Sequence, residues 1–305
     1  VYVLARYGRE DLALLYVGRT RRGSLVECVE SVAPPVPREE KWVLIVSTLQ
    51  GCPVRCRMCD AGGEYRGALT GEEILAQIEA LIAGRYPDLK VPVPKFKIQF
   101  ARMGEPALNP AVLQVLRQLP QKYDAPGLMP CLSTVLPRGC ESFFAELGEI
   151  KNSLYTGGSF QLQFSLHTTD PDRRRELIPY PVLNFSDAAR LGERFFQSGD
   201  RRLGLNFAAA QGCPIEPAVL ADHFDPKIFA VKLTPLNPTG RSGHHQLSSR
   251  IDPRTGAGSE ELVEGLRAAG YEVILSLGQP EEDAIGSNCG QYVSRFRHSQ
   301  AMVQA

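Results

Sequence analysis

Along residues 1–31, apolar and polar positions alternate in three short runs, "VYVLARY", "LALLYVG" and "SLVECVES", divided by glycine and charge. A two-residue period predicts strands, and the short divisions predict that they fold back into a small antiparallel sheet. "APPVPREEK" follows, where Pro34, Pro35 and Pro37 disfavour both helix and central strand. Residues 1–38 therefore read as a β extension with a stiff linker, and 39–305 as the main domain.

In the main domain the pattern becomes strand then helix, repeated. "WVLIVS" is a buried strand candidate. "LTGEEILAQIEALIAGRY" has a 3.6-residue apolar period, with Thr70 as N-cap and Glu73 completing a capping box. "KFKIQFARM" precedes "PAVLQVLRQL", "MPCLSTV" precedes "ESFFAELGEI", and "FQLQFSLHT" precedes a helix around "SDAARLGERFFQSG". "RLGLNFAAA" precedes "PAVLADHF", "IFAVKLTPLN" precedes "SEELVEGLRAAG", and "YEVILSLG" closes the series as a strand. Such alternation predicts an α/β fold of parallel strands joined by helical crossovers, with chemistry at the carboxyl ends of the strands. Pattern alone leaves a full eightfold barrel as the alternative, but about six repeats plus an edge strand predict a partial (β/α)6-type barrel. Residues 240–258 read as a long polar loop that either shapes its mouth or simply varies.

The composition, 43% hydrophobic and 22% charged, excludes a disordered or fibrous chain. No run approaches the ~18 apolar residues of a spanning helix, and the first residues lack a secretory pattern. These features predict a cytoplasmic monomer without a membrane partner. A formal net charge of +0 leaves any charged partner to local patches. "GRTRRG" at 18–23, "DRRRE" at 172–176 and "SRFRH" at 294–298 are such runs, each read first as solvated surface.

Of eight cysteines, three crowd into "GCPVRCRMCDAGG": Cys52, Cys56 and Cys59, at spacings of four and three. Three thiolates can hold three irons of a four-iron cluster and leave one iron open, whereas a closed zinc site needs a fourth ligand. Asp60 and Glu64 are the nearby oxygen donors, and structural zinc or unrelated buried thiols remain the plainer readings.

The loop resembles the CxxxCxxC motif of the radical S-adenosylmethionine superfamily. With it, "LTGEEILAQI", "ARMGEPALNP", "CLSTV", "SLHTTDPDRRRELIP", "KLTPLNP" and "CGQY" are similar, in order, to motifs of the 23S rRNA adenosine C2-methyltransferases and their C8-methylating resistance relatives, the RlmN and Cfr group. The resemblance implies a [4Fe-4S] cluster on Cys52, Cys56 and Cys59 that binds and cleaves S-adenosyl-L-methionine, and a reducing electron donor such as flavodoxin or ferredoxin. Met58 would shield the cluster, and Gly62 and Gly63 would shape its loop. Gly104 and Glu105 match the GEP motif that meets the cofactor's amino group. Ser133, Ser165, His167 and Asn237 match its other polar contacts.

Cys289, in "GSNCGQY", matches the cysteine that in this family is methylated, loses hydrogen to a radical, and adds its methylene to a purine carbon. Glu27 loosely matches a glutamate that deprotonates the adduct. Glu30 competes for that role, and an exposed strand glutamate is the plainer reading of Glu27. The resemblance breaks at Ile45, seven residues before Cys52, where the RNA enzymes carry the cysteine that resolves the covalent intermediate. Cys28 could replace that thiol, although its strand position points away from Glu27; Cys131, Cys140 and Cys213 are weaker substitutes. The RNA enzymes carry a helical accessory domain ahead of the sheet-like extension, and the expectation here is a divergent member that lacks it. The resemblance implies a radical methyl synthase acting on adenosine in RNA. A small molecule or peptide is the alternative substrate, and a non-catalytic iron-sulfur regulator the alternative class.

Overall fold

The computed structural model describes residues 1–32, 34–286, 292, 293 and 296. They form an α/β fold with a mixed β-sheet core, divided into two compact units.

The first unit comprises Val1–Pro53, Asp60–Pro130 and the described residues from Glu281 on. Its opening meander is antiparallel, as the alternation predicts: β1 (Tyr2–Arg9), β2 (Ala13–Arg19) and β3 (Leu25–Ser31), with β3 pairing antiparallel to β4 (Lys41–Val46). A ribbon of β5 (Leu49–Gln50) and β6 (Gly67–Ala68) follows. Helix α1 (Gly71–Ala83) starts at the expected capping box, with both reciprocal bonds between Thr70 and Glu73 present. Strand β7 (Lys95–Phe100) lies parallel to β4, and α2 (Ala111–Lys122) follows it.

The β4 and β7 strands have unlike faces. Trp42, Leu44 and Val46 pair with Phe96, Ile98 and Phe100 on a fully buried face, where Trp42 stacks on Phe96 at 5.2 Å. Ile45, Lys97 and Gln99 lie half-buried on the other.

The second unit comprises Val54–Cys59 and Cys131–Pro280. Strand β8 (Leu128–Thr134) enters it at Cys131 and pairs in parallel with β9 (Gln161–Ser165). Strands β10 (Leu203–Ala209), β11 (Phe229–Pro235) and β12 (Val273–Leu275) continue the parallel order. Helices α3 (Glu141–Leu154), α4 (Pro171–Leu177), α5 (Phe185–Phe195), α6 (Pro217–Ala221), α7 (Gly240–His244) and α8 (Glu260–Ala268) connect them, and α9 (Pro280–Ile285) follows β12. On β10, Leu203, Leu205, Phe207 and Ala209 are buried while Gly204, Asn206 and Ala208 are half-buried, the two-residue period made visible. Ser133, Ser165, Lys232 and Thr234 share the half-buried class. The result is a polar, half-open face backed by an apolar one.

Several expectations need correction. "DRRRE" is not wholly solvated, because it forms α4 and Arg174 is only 4% exposed. The 240–258 segment opens with α7, capped reciprocally by Thr239 and Ser242, rather than running as loop throughout. Strand β9 stops at Ser165 and β12 covers only three of the residues in "YEVILSLG". Among the described residues, no helix is long and apolar enough to cross a membrane.

Candidate active site

The candidate residues lie on strands or in the turns and loops that follow them, in both units. Gly104 and Glu105 belong to the first, with Glu27 and Cys52; Cys56, Cys59, Ser133, Ser165, His167 and Asn237 belong to the second. Cys289 lies outside the described residues.

In the first unit, the head of the cysteine loop is fastened to the turn after β7. Thr48 and Leu49 both donate their backbone N–H to the Met103 carbonyl, at 2.8 and 3.0 Å. The Asn109 amide donates to the carbonyls of Thr48 and Leu69, at 2.7 and 2.8 Å. Gly104 has φ +104°, and a Cβ there would meet Leu49 Cβ at 2.5 Å and Leu49 N at 2.8 Å. Glycine is therefore required by close approach to Leu49 as well as by the left-handed backbone. Glu105, 5% exposed, accepts from the Ala107 N–H at 3.1 Å and caps a short 3-10 turn over Pro106–Leu108.

Glu27 and Glu30 lie on opposite faces of β3. Glu30 is held by Tyr16 Oη at 2.6 Å, Trp42 Nε1 at 3.2 Å and two nitrogens of Arg85 at 3.1 and 3.0 Å. Glu27 is fully buried, which overturns the exposed-strand reading. Its Oε2 pairs with Arg102 at 2.6 Å, while Oε1 accepts the backbone N–H groups of Tyr292 and Val293 at 2.6 and 2.5 Å. Arg102 also donates to the Gly286 carbonyl at 2.8 Å. One buried ion pair thus grips the chain on both sides of 287–291.

Ile45 stands opposite Val29, and so on the strand face that carries Glu27. Cys28 shares the face of Glu30 and Tyr16. Burial pushes its thiol up to about 12, which leaves it protonated and unreactive at neutral pH. Cys131, Cys140 and Cys213 are also buried.

In the second unit, Ser133 lies within β8 opposite Gln163, whose side chain donates to Ser133 Oγ at 3.5 Å. Ser165 sits opposite Asn206. The Asn206 carbonyl accepts from both Leu166 and His167 N–H, at 3.0 and 3.3 Å, and His167 turns to φ 66°. The Ala208 N–H donates to His167 Nδ1 at 3.2 Å, so the neutral ring carries its hydrogen on Nε2. Burial first, and the charge of Arg174 second, push His167 down to about 4, which keeps it neutral at pH 7. The Asn237 carbonyl accepts from Thr239 N at 2.9 Å and Ser242 Oγ at 3.2 Å.

The 54–59 part of the cysteine loop is held by residues that pattern reading missed. Thr239 Oγ1 donates to the Met58 carbonyl at 2.8 Å, and Arg241 donates to the Cys56 and Arg55 carbonyls, each at 3.2 Å. The available signal was the Thr239 to Ser242 spacing, that of a helix cap directly after "PLNP". Cys56 and Cys59 are half-buried, with the Cys59 N–H donating to the Cys56 carbonyl at 3.2 Å. Among the described residues, no three His, Cys, Asp or Glu side chains are grouped to hold a metal ion. By donor chemistry, three thiols without a Cys or His fourth in their loop suit an iron-sulfur cluster with an open iron better than zinc.

No family model matches the chain. A Deinococcus deserti protein described as "Probable dual-specificity RNA methyltransferase RlmN" is 29% identical over 267 residues, covering 84% of this chain and 71% of that protein. Proteins of the same description from Synechococcus sp. and Heliobacterium modesticaldum are 29% and 27% identical. These alignments cover 70% and 94% of this chain, and 60% and 71% of the two relatives. A crystal structure of a radical SAM methyltransferase from Sphaerobacter thermophilus shares the fold with a TM-score of 0.71 at 22% identity, covering 95% of this chain and 80% of that one.

Proposed function

Proceeding from a chain that is radical SAM methyltransferase-like and resembles the RlmN and Cfr type at low identity, we propose that it is a methyl synthase on a partial (β/α)6-type barrel. In this reading it transfers a one-carbon unit through Cys289 to an sp2 carbon, and its substrate is an adenosine in RNA. The carrying observation is the joint between the head of the cysteine loop and the Gly104–Glu105 turn.

Cys52, Cys56 and Cys59 would hold a [4Fe-4S] cluster, fed by a flavodoxin or ferredoxin, which supplies reductive cleavage of S-adenosylmethionine when bound. The chain's own residues then bind and orient that cofactor. Glu105 offers a carboxylate to an ammonium group, and neutral His167 offers Nε2–H as a donor. Ser133, Ser165 and Asn237 add short polar side chains after or near strand ends. Glu27, through Arg102 and the N–H groups of Tyr292 and Val293, fixes the segment on either side of Cys289. Arg241 and Thr239 hold the loop carbonyls so that the thiols keep one disposition.

Ile45 favours a second reading on the substrate alone. An isoleucine cannot resolve a covalent adduct, so a small molecule or peptide released by different chemistry competes with RNA. The test is anaerobic reconstitution with iron, sulfide, reductant and S-adenosylmethionine, reading 5′-deoxyadenosine. Wild-type chain should form it and Cys56→Ala should not; no product from a chain loaded with about four irons, the complement of one such cluster, would overturn the proposal.

A further inference from the structure

We propose that the second unit carries an anion pocket, between the turn at Arg138 after β8 and the start of α5, that binds a phosphoryl group. The pocket deepens the RNA reading by naming where a phosphate would sit, but needs neither the cluster nor methyl transfer.

The cavity measures about 260 Å3 and is lined by Arg138, Arg174, Arg175, Tyr180, Asn184 and Phe185, among others. That is several times the ~30 Å3 a water occupies in the liquid, enough for more than a lone ion. Arg174 is the informative residue. Its guanidinium donates to the Leu183 carbonyl at 2.6 Å and the Val135 carbonyl at 3.3 Å and lies 5.3 Å from the Phe185 ring. Its Nε is buried with no partner among the described residues. Among the described residues only neutral groups hold it, and a guanidinium buried without an opposite charge is costly.

Arg138 adds a second fork at the opening. Its Nε donates to the Val182 carbonyl at 3.0 Å. Neither Arg138 nor Arg174 pairs with a carboxylate among the described residues. The acids at 170, 172, 176 and 187 are already engaged: Asp170 with the N–H groups of Asp172 and Arg173, Asp172 with Arg175, Glu176 with Arg173, and Asp187 with Arg190. The N-terminus of α5 closes the site, with Asn184 Oδ1 accepting from Asp187 N at 2.8 Å. An 11-residue helix presents partial positive charge there. Two unneutralised forks and a helix start favour tetrahedral oxygens over a single carboxylate.

Isothermal titration of the full chain with inorganic phosphate and with ribose 5-phosphate tests this. Saturable one-site binding is expected, weakened at least tenfold (about 1.4 kcal/mol) by Arg138→Gln. That side chain is exposed, so the variant should fold; Arg174→Gln, if folded, should lose binding altogether. No saturation, or an Arg138→Gln chain that binds as the wild type does, would overturn the pocket. A short RNA oligomer that displaces ribose 5-phosphate would assign the site to nucleic acid. Ribose 5-phosphate binding that RNA cannot displace would keep the pocket, assign it to a small phosphorylated ligand, and count against RNA as the substrate.

Discussion

Glu27 and Arg102 form a buried ion pair at 2.6 Å, with their side chains 0% and 2% exposed, and together they hold Gly286, Tyr292 and Val293 by backbone hydrogen bonds. Removing one partner leaves the other charge buried and unpaired. Glu27→Gln should therefore lower unfolding stability by about 3–5 kcal/mol, read from urea denaturation. A loss below about 1 kcal/mol would mean that the pair does not anchor this segment.

Gly104→Ala should destabilise by about 2 kcal/mol or more, because the added methyl meets Leu49 backbone and side chain together and the φ is left-handed. Denaturation midpoints check it. Gly63, where an added Cβ meets nothing within 4 Å, is the control that should change little.

The depressed pKa of His167 fixes a pH dependence. Above the unfolded value of about 6.5 the stabilisation is fully present. Between there and about 4 the unfolded chain binds the extra proton, so stability falls as pH falls, by an amount on the order of 3 kcal/mol. Denaturation at a series of pH values should show this slope, and His167→Gln should flatten it. An unchanged slope in the variant would assign the effect elsewhere.

Arg241→Ala removes the donors on the Cys56 and Arg55 carbonyls. A charged donor contributes about 1.5–3 kcal/mol when buried, and half-exposed Arg241 less. Iron retained per chain after anaerobic desalting should decay roughly tenfold faster than in wild type. Equal retention would show that the loop keeps its ligand geometry without this clamp.

Much of the framework was legible because single local rules governed it. The Thr70 and Glu73 spacing specified its helix start, and the alternation in "RLGLNFAAA" specified which residues of β10 face the polar side. What escaped was decided by tertiary partners. Arg174 hides in a charged run, yet it lies one helical turn before Leu177 and Ile178, both buried, a spacing that turns it inward. Glu27 looked solvated because its partner Arg102 is 75 residues away. Strand β9 ended early because His167 turns into the left-handed region to meet β10, which no local pattern announces. Arg241 reads as loop and Thr239 carries no reading at all, since their partners are carbonyls of the 55–58 segment.

The central claim is that Cys289 carries the transferred carbon. Intact-chain mass spectrometry with peptide fragmentation, after anaerobic reconstitution with S-adenosylmethionine, tests it directly. The account predicts one added methyl on Cys289, absent from Cys289→Ala. An unmodified Cys289 in a chain that cleaves the cofactor would contradict it.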